Sequence, residues 1–243
     1  TWTVAGLPDT PAGAWRVVCE ENTNLWAQTT NFFSIRIASS NLDIYVGTAD
    51  TNENVYAEGI GQADNWEATS SAPLNSLRLA FERFDLEPGD RIWVDTGTYS
   101  ESDPILIGMK DTGTSNNPIR VTGNATAPYT RTVLKRASRT VGAYGIQLAY
   151  ANGIQFQALT VSNAYIGVYM ENSQAISLDR LRIGSCITNA IYAGTSTRLD
   201  LARSILEQSL AFGLQARTGA VVKVQNCLIR NNTLANCLLR GGN

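Results

Sequence analysis

Four consecutive segments in the carboxyl-terminal half repeat one pattern of side chains. They read GIQLAYANGIQFQALTVSNAYI (145–166), GVYMENSQAISLDRLRIGSCITN (167–189), AIYAGTSTRLDLARSILEQSLAF (190–212) and GLQARTGAVVKVQNCLIRNNTLAN (213–236). The segments are 22, 23, 23 and 24 residues long, and each contains three short stretches in which apolar and polar residues alternate. Such alternation places every second side chain on one face of a strand. Three strands per repeat therefore predict a coil in which each repeat forms one rung.

Rungs of nearly equal length stack, so that equivalent positions form columns about 4.8 Å apart. One inward column is predicted to contain Ile146, Val168, Ile191, Leu214 and Leu238. A single rung cannot bury its apolar face alone, whereas several stacked rungs share a continuous core. A leucine-rich repeat has a similar period, but its Leu-x-x-Leu-x-Leu-x-x-Asn frame does not recur here and no repeat has helical spacing. We therefore expect an all-β chain built on a parallel β-helix.

This repeat resembles the right-handed parallel β-helix of the pectate-lyase-like superfamily. The resemblance covers roughly 91–243 and extends upstream to a Pro88-Gly89-Asp90 turn, the strand that follows it and the sequence Gly97-Thr98-Tyr99. It implies the fold and an extracellular or cell-surface location. It does not imply one activity, because the superfamily includes lyases, hydrolases, adhesins and proteins without known activity.

Two other regions precede the predicted β-helix. Residues 41–90 are expected to form an N-terminal cap with a helix over about 74–85, where Leu74, Leu77, Phe81 and Phe84 have helical spacing and Pro73 lies near the first turn. Residues 1–40 are a strand-rich lead, with strands expected over 2–6, 13–21 and 31–37 and a turn over 8–11. These strands resemble the end of an immunoglobulin-like β-sandwich.

The two ends of the chain suggest a fragment. The chain opens TWTVAGLPDT, which is not a signal peptide, and no apolar run reaches the roughly 20 residues needed to span a bilayer. The last residues look like the start of another rung. We therefore expect a piece of a longer protein, truncated at the carboxyl end.

Composition excludes several kinds of chemistry. The 243 residues include no histidine, which removes histidine zinc sites, Ser-His-Asp and Cys-His catalytic units, and the histidine-dependent hydrolases of the superfamily. The formal net charge is −2, with 19 basic and 21 acidic residues. No basic excess is available to neutralise a nucleic-acid backbone, so nucleic acid is not an expected partner.

The outward column of the first strand of each repeat is the best candidate site. It contains Gln147, Tyr169, Tyr192 and Gln215, with Glu171 two positions beyond Tyr169. Aromatic rings with polar tips beside amides could hold the face of a sugar and its hydroxyl groups, which makes a polysaccharide or cell-surface glycan the expected partner. The alternative is an aromatic ladder that only stabilises the sheet.

One acidic loop matches half of a calcium-binding motif. Asp50, Asn52 and Asn54 alternate as in the first half of an EF-hand loop. The glycine expected at the sixth position is Val55, and the glutamate expected at the twelfth is Gly61. A Ca²⁺ site is thus a weak expectation, and no other cofactor is expected.

Two further expectations concern single residue types. Asp179 lies beside Arg180 and Arg182 and is expected on a solvated face. The cysteines show no metal-binding spacing and are expected to be small apolar core residues, although a disulfide of unknown pairing remains open; they are Cys19, Cys186, Cys227 and Cys237.

Three functions remain in competition. The first is a non-catalytic module of a larger secreted or cell-surface protein, either a rigid spacer or a carbohydrate-contacting one. The second is a polysaccharide lyase or hydrolase acting on an acidic glycan. The third is a structural protein that self-associates end to end. Candidate residues for the second function are Asp95, Asp103, Lys110, Asp111, Lys135, Arg136 and Arg139.

Overall fold

A computed structural model describes residues 41–63, 67–124 and 131–240, together with the backbone of four short upstream strands. These strands are β1 (Thr10–Gly13), β2 (Arg16–Val18), β3 (Trp26–Gln28) and β4 (Phe33–Ile35). β1 pairs antiparallel with β4, and β2 pairs antiparallel with β3. β2 and β4 fall within strands predicted from the sequence. The strand predicted over 2–6 lies outside the described residues, and the resemblance to an immunoglobulin-like sandwich stays a prediction.

The turn predicted over 8–11 is wrong at its second half. Thr10 and Pro11 belong to β1, and Thr10 pairs with Ile35 of β4. A proline is compatible with an edge position in a two-stranded sheet, because one side of each strand needs no donor.

Three parallel sheets make up the described part of the chain from residue 91 onward. The first sheet contains β5 (Asp43–Val46), β6 (Arg91–Val94), β9 (Ile119–Thr122), β12 (Ile154–Gln157), β15 (Ile176–Asp179), β18 (Arg198–Ala202) and β21 (Val221–Gln225). The second sheet contains β7 (Gly97–Glu101), β10 (Thr132–Arg136), β13 (Thr160–Ser162), β16 (Arg182–Gly184), β19 (Ile205–Glu207) and β22 (Leu228–Arg230). The third sheet contains β8 (Ile105–Ile107), β11 (Tyr144–Ala149), β14 (Ile166–Glu171), β17 (Ile191–Ala193), β20 (Phe212–Ala216) and β23 (Ala235–Leu239).

The chain visits the three sheets in turn and then repeats the circuit, which confirms the predicted parallel β-helix. Parallel strands joined by crossovers are almost always right-handed. From β6 to β23 the described residues form six complete rungs of three strands. β5 adds a seventh strand to the first sheet, paired in parallel with β6. The stack therefore begins within the segment predicted as the N-terminal cap.

The core follows from the alternation seen in the sequence. Phe156, Leu178 and Leu201 are in register on successive rungs, and each is almost completely buried. Ile146, Val168, Ile191 and Leu214 form an equally buried column in the third sheet. Contact between identical positions of neighbouring rungs removes each apolar face from water, so burial is shared along the stack.

The inward column predicted from the sequence is wrong at its last member. Cys237, not Leu238, pairs with Leu214, and Leu238 pairs with Gln215 on the outward side. The start of the last repeat therefore lies one residue earlier in the sequence than predicted, so that Cys237 occupies the inward position expected for Leu238. A one-residue change of register moves every side chain of a strand to the opposite face.

Most corners of the coil use one residue in the left-handed conformation. Ala158, Arg180, Arg203 and Asn226 have φ of 57°, 54°, 48° and 53° between the first and second sheets. The equivalent positions after the second sheet, with φ of 55–59°, are Asn163, Ser185, Gln208 and Asn231. Left-handed backbone costs an ordinary L-residue roughly 1–2 kcal/mol. The ladder bonds on either side of the corners hold that conformation.

Helix α1 (Leu77–Arg83) is shorter than predicted, but its buried face is the expected one. Ser76 is the N-cap and accepts a hydrogen bond from the Leu79 N–H, and Phe84 ends the helix in extended backbone. Leu77 and Phe81 are buried in the core together with Ile44 of β5. Leu74 is buried in a different way, because its backbone pairs with β5 at Val46. Protection of the sheet edges by this helix stays a prediction.

Cysteines differ from one another in environment. Cys186 is fully buried, as predicted for a small core residue, and burial raises the pKa of its thiol to about 11. Cys227 is partly buried against the core. Cys237 is exposed, which contradicts the prediction. It lies on β23, in the last described rung, and no further described rung covers it. Cys19 lies outside the described residues. In the part of the chain that the structure describes, no helix is long and apolar enough to cross a membrane.

Candidate functional site

The outer face of the third sheet brings the predicted candidate residues into one column. Gln147 pairs with Tyr169, Tyr169 with Tyr192, and Tyr192 with Gln215. All four side chains are half-buried on a face that alternates with the dry core. The strand registers that build the core therefore also fix the vertical order of these polar and aromatic groups.

Three tyrosine rings, not two, form the ladder on this face. The rings of Tyr169 and Tyr192 stack with centroids 5.2 Å apart and planes 3° from parallel. On the opposite side of Tyr169, the ring of Tyr144 stacks at 4.5 Å and 5°. Both distances are close to the strand spacing, so each ring follows the rung that carries it. The alternation of the sequence could not predict that Tyr144 belongs to the ladder. Its backbone pairs with Ile166, and it lies three positions before Gln147, so it is not a member of the Gln147 column.

Stacking changes what this face can offer to a ligand. Both faces of the Tyr169 ring are covered by neighbouring rings, so a sugar cannot lie flat on this ring, and carbohydrate binding by the column stays a prediction. The ladder presents ring edges and phenolic hydroxyl groups instead. Such a line of donors and acceptors on an apolar support suits the hydroxyl groups of a glycan.

A carboxylate fixes the centre of the ladder. The Tyr169 hydroxyl donates to Oε1 of Glu171 at 3.3 Å. Burial, followed by the negative charge and the hydrogen bond of Glu171, raises the pKa of the Tyr169 phenol to about 12. Glu171 lies over Gly194 of the next rung, where a Cβ atom would come within 2.1 Å of the Glu171 Cδ. The absence of a side chain at Gly194 therefore makes room for the carboxylate.

An amide and an apolar margin complete the face. Oε1 of Gln215 accepts a hydrogen bond of 2.8 Å from Nδ2 of Asn189, which fixes the lower amide. Leu106 pairs with Gln147 at the upper end of the column and is 57% exposed. Met109, which follows β8, and Tyr150, which follows β11, are also exposed. Apolar surface at Leu106 thus adjoins one end of the polar column.

The loop predicted as a calcium site is held by its own hydrogen bonds. Oδ1 of Asp50 accepts a bond of 3.0 Å from the Asn52 N–H. The Asn54 amide has both side-chain atoms shielded from solvent without a hydrogen-bond partner. Among the described residues, no group of three or more Asp, Glu, Cys or His side chains is placed to hold a metal ion. The Ca²⁺ site stays a prediction.

The upstream candidates for catalysis are dispersed, and several have structural contacts. Asp95 is buried and accepts bonds from the backbone N–H groups of Val55, Tyr56 and Ala57. Lys110 donates to the carbonyl oxygens of Phe81 and Phe84 at the end of α1. These contacts tie loops and the helix to the first rungs.

The remaining candidates are either buried in structural contacts or exposed on the surface. Asp111 is fully buried, and burial raises the pKa of its carboxyl to about 6 despite the nearby Lys110. Arg136 is buried and donates to the Glu101 carbonyl, while Arg139 donates to the carbonyl of Ser185. Asp103 and Lys135 are exposed.

Asp179 is not on a solvated face, contrary to the prediction. Its side chain is almost completely buried and accepts two hydrogen bonds, of 2.7 Å and 2.6 Å, from Arg203. The hydrogen-bonding partner comes from the corner one rung away, while Nε of the adjacent Arg180 lies 3.6 Å from Oδ2, so sequence proximity alone gave the wrong environment.

Comparison with known proteins gives the fold. No protein-family model matches the chain, and no curated protein matches it. Among solved structures, pectate lyase Pel9A superposes with a TM-score of 0.60 at 16% identity, over 78% of this chain and 48% of that chain. The chain has the right-handed parallel β-helix fold of pectate lyase.

Two further structures are more distant. An alginate lyase from Paenibacillus sp. str. FPU-7 aligns with a TM-score of 0.47 at 14% identity, over 68% of this chain and 72% of that chain. Escherichia coli ybhc aligns with a TM-score of 0.47 at 11% identity, over 78% of this chain and 58% of that chain. The chain thus spans about half the length of Pel9A, and at these identities the similarity describes the fold.

Proposed function

We propose that this chain is a non-catalytic β-helix module of a larger secreted or cell-surface protein and that it contacts carbohydrate through its tyrosine ladder. The observation that carries the proposal is the line formed by Tyr144, Tyr169 and Tyr192 on the outer face of the third sheet. Glu171, Gln147 and Gln215 add acceptors and donors beside it. The pectate-lyase fold of Pel9A supports a glycan as the partner.

The chemical engagement of the carboxylates supports a binding role rather than a catalytic one. Asp95 is occupied by three backbone N–H groups, and Glu171 by a phenol. The carboxylate of Glu101 accepts a hydrogen bond from the hydroxyl of Ser76 at the start of α1, whose Oγ lies 2.9 Å and 2.7 Å from its two oxygens. In each case at least one carboxylate oxygen already accepts a hydrogen bond from the protein itself.

A glycan-binding experiment tests this proposal. The chain is applied to an array of plant, algal and bacterial polysaccharides, and the affinity for the strongest ligand is measured by calorimetry. Tyr192→Ala, which removes an end ring, should weaken binding by about tenfold, as expected for the loss of one aromatic side chain from an interface. Tyr45→Ala on the first sheet is the matched control and should leave the affinity within about twofold.

A lyase assay provides the opposing outcome. The chain is incubated with polygalacturonate and with alginate in the presence of Ca²⁺, and unsaturated products are followed by absorbance. We expect no turnover. If the chain cleaves a polymer and Lys135→Ala abolishes the cleavage, the proposed binding module would instead be a polysaccharide lyase.

The last described rung suggests self-association as a further proposal. Val221, Leu234 and Leu239 are exposed there, and β21, β22 and β23 are the outermost described strands of their sheets, whose edges can pair with another strand. End-to-end association should make the apparent mass rise with concentration in light scattering. A constant monomer mass would contradict it.

A further inference from the structure

Two buried carboxylates, Asp179 at the end of β15 in the first sheet and Glu207 on β19 in the second, each contact two arginines. Asp179 binds Arg203 through two hydrogen bonds and has Arg180 Nε at 3.6 Å. Glu207 accepts from Arg182 Nε at 2.7 Å and from Arg230 Nε at 2.9 Å. The arginine face, defined here as Arg180, Arg182, Arg203 and Arg230, thus contains two positive charges for every negative one.

Register places these arginines in an ordered array. Arg180 and Arg203 occupy equivalent left-handed corners of adjacent rungs. Gly184 pairs with Glu207 and Glu207 with Arg230, so the cluster around Glu207 extends over β16, β19 and β22. The four guanidinium groups therefore follow the axis of the stack over three rungs.

The carboxylates are buried, whereas the arginines reach solvent. Asp179 and Glu207 side chains are 7% and 3% exposed. The exposed fractions of Arg180, Arg182, Arg230 and Arg203 are 37%, 39%, 49% and 62%. Burial alone would raise the pKa of Glu207, but the bonds from Arg230 and Arg182 keep it below its usual range. An approaching ligand therefore meets positive groups whose positions are already fixed.

This face contrasts with the chain as a whole, which has a formal charge of −2. Lys135 extends the positive surface, since it pairs with Ser162 in the column that continues to Glu207 and Arg230. Pre-positioned arginines bind an anion at a lower entropic cost than mobile side chains do.

The remaining donors indicate the kind of anion. The Nε and Nη2 groups of Arg203 are used by Asp179, and those of Arg182 by Glu207. A planar carboxylate binds best to a complete fork of two N–H groups, and on these two arginines the side-on fork of Nε and Nη2 is occupied, which leaves only the N–H groups at the end of the guanidinium. A sulfate ester has three terminal oxygens and can collect single N–H groups from several arginines.

A groove beside the array provides space for such a group. It has a volume of about 180 Å³ and is lined by Ser162, Arg182 and Gly184 among others. At about 30 Å³ for each water, the groove holds roughly six water molecules, which is enough for one sulfate group and part of its sugar. Gly184 allows the next rung to approach closely at the groove, because a Cβ atom there would lie 2.2 Å from the Glu207 carbonyl oxygen.

We propose that the arginine face binds a sulfated polysaccharide lying along the axis of the β-helix. This surface is separate from the tyrosine ladder, which lies on the third sheet, so the two can be tested independently.

The test measures binding of heparin, as a sulfated probe, at low and at near-physiological salt. Arg180→Gln combined with Arg230→Gln removes one arginine from each cluster and leaves each carboxylate its two-contact partner. The affinity for heparin should fall by about tenfold, because two charge-assisted contacts are lost. Thermal unfolding of the variant shows whether it folds like the parent chain.

A matched control removes the same charge from another face of the same rungs. Arg198→Gln combined with Lys223→Gln, both on exposed positions of the first sheet, should change the heparin affinity by less than about twofold. Binding should also weaken as salt increases, and unsulfated dextran should not bind.

Three results would overturn the proposal. One is the absence of heparin binding by the folded parent chain. Another is an equal or larger loss of affinity in the first-sheet control than in the arginine-face variant. The third is equal binding of polygalacturonate at matched charge, which would identify a carboxylated polymer as the partner.

Discussion

The Tyr169 hydroxyl and the Glu171 carboxylate, two residues apart on β14, are joined by a hydrogen bond of 3.3 Å. Alternation alone would put both side chains on the outer face, but it would not connect them. The bond orients the central hydroxyl group and places a negative charge beside the rings, so the aromatic ladder also has a polar edge.

Replacing that carboxylate should change the titration of the central ring. Burial is the first cause of the raised pKa of Tyr169, and the charge of Glu171 is the second. Glu171→Gln should therefore lower the pKa of Tyr169 from about 12 while leaving it above the ordinary value. The measurement is an NMR titration of ¹³C-labelled tyrosine. An unchanged pKa would contradict the contact.

A buried carboxyl should make stability depend on pH. The pKa of Asp111 is raised from 3.8 to about 6, so the folded state holds the proton more tightly than the unfolded state. The contribution of this group to the free energy of unfolding is fully present below about pH 3.8 and is lost as the pH rises through about 6. Asp111→Asn removes the titration and should stabilise the chain at pH 7 by on the order of 2 kcal/mol, with little effect at pH 4.

Denaturant unfolding at several pH values measures this difference. Asp50→Asn at an exposed position controls for the general loss of one negative charge. A gain in stability from Asp111→Asn that is the same at pH 4 and pH 7 would show that its carboxyl does not titrate as described.

The left-handed corners offer a direct test of backbone strain. Gln208 is exposed and has φ of 58°, a conformation that glycine adopts without steric cost. Gln208→Gly should be stabilising by up to about 1 kcal/mol. The same change at Gln155, which lies within strand β12, should instead destabilise by about 0.5–1 kcal/mol. Unfolding in urea distinguishes the two, and a loss of stability at both positions would argue against the corner geometry.

Close approach of adjacent rungs should make one glycine intolerant of substitution. A Cβ atom at Gly167 would lie 2.4 Å from Ile183 Cγ2 and 2.6 Å from the Ala190 carbonyl oxygen. Gly167→Ala should therefore cost about 1–3 kcal/mol of stability. At Gly108 the nearest atom would be 3.6 Å away, so Gly108→Ala should change stability by less than about 0.5 kcal/mol. Equal effects of the two changes on the melting temperature would contradict the tight spacing of β14 and β17.

Sequence was most informative where burial dictates side-chain choice. The columns that contain Phe156, Leu178 and Leu201 could be predicted because alternation and a period of 22–23 residues leave one consistent register. The pairing of Tyr169 with Tyr192 followed from the same register.

What the sequence could not show depends on geometry at corners and across rungs. Arg180, Arg203 and Gln208 do not look like left-handed positions, because neither arginine nor glutamine favours that backbone. The bidentate contact of Arg203 with Asp179 joins residues 24 positions apart, and no local pattern signals it. The Tyr144 ring stacks on Tyr169 although the two residues are not paired in the sheet, and an alternating pattern cannot predict such a contact.

The regular stacking of rungs also sets a unit of length. Each outer face grows by one strand spacing, about 4.8 Å, for every repeat of the coil, and neighbouring rungs alone determine how a new one fits. Duplication or loss of a single repeat would lengthen or shorten the tyrosine and arginine surfaces by the same fixed step without redesigning either. The number of repeats can therefore set the length of each binding face in equal steps, which suits the regular spacing of groups along an extended polymer.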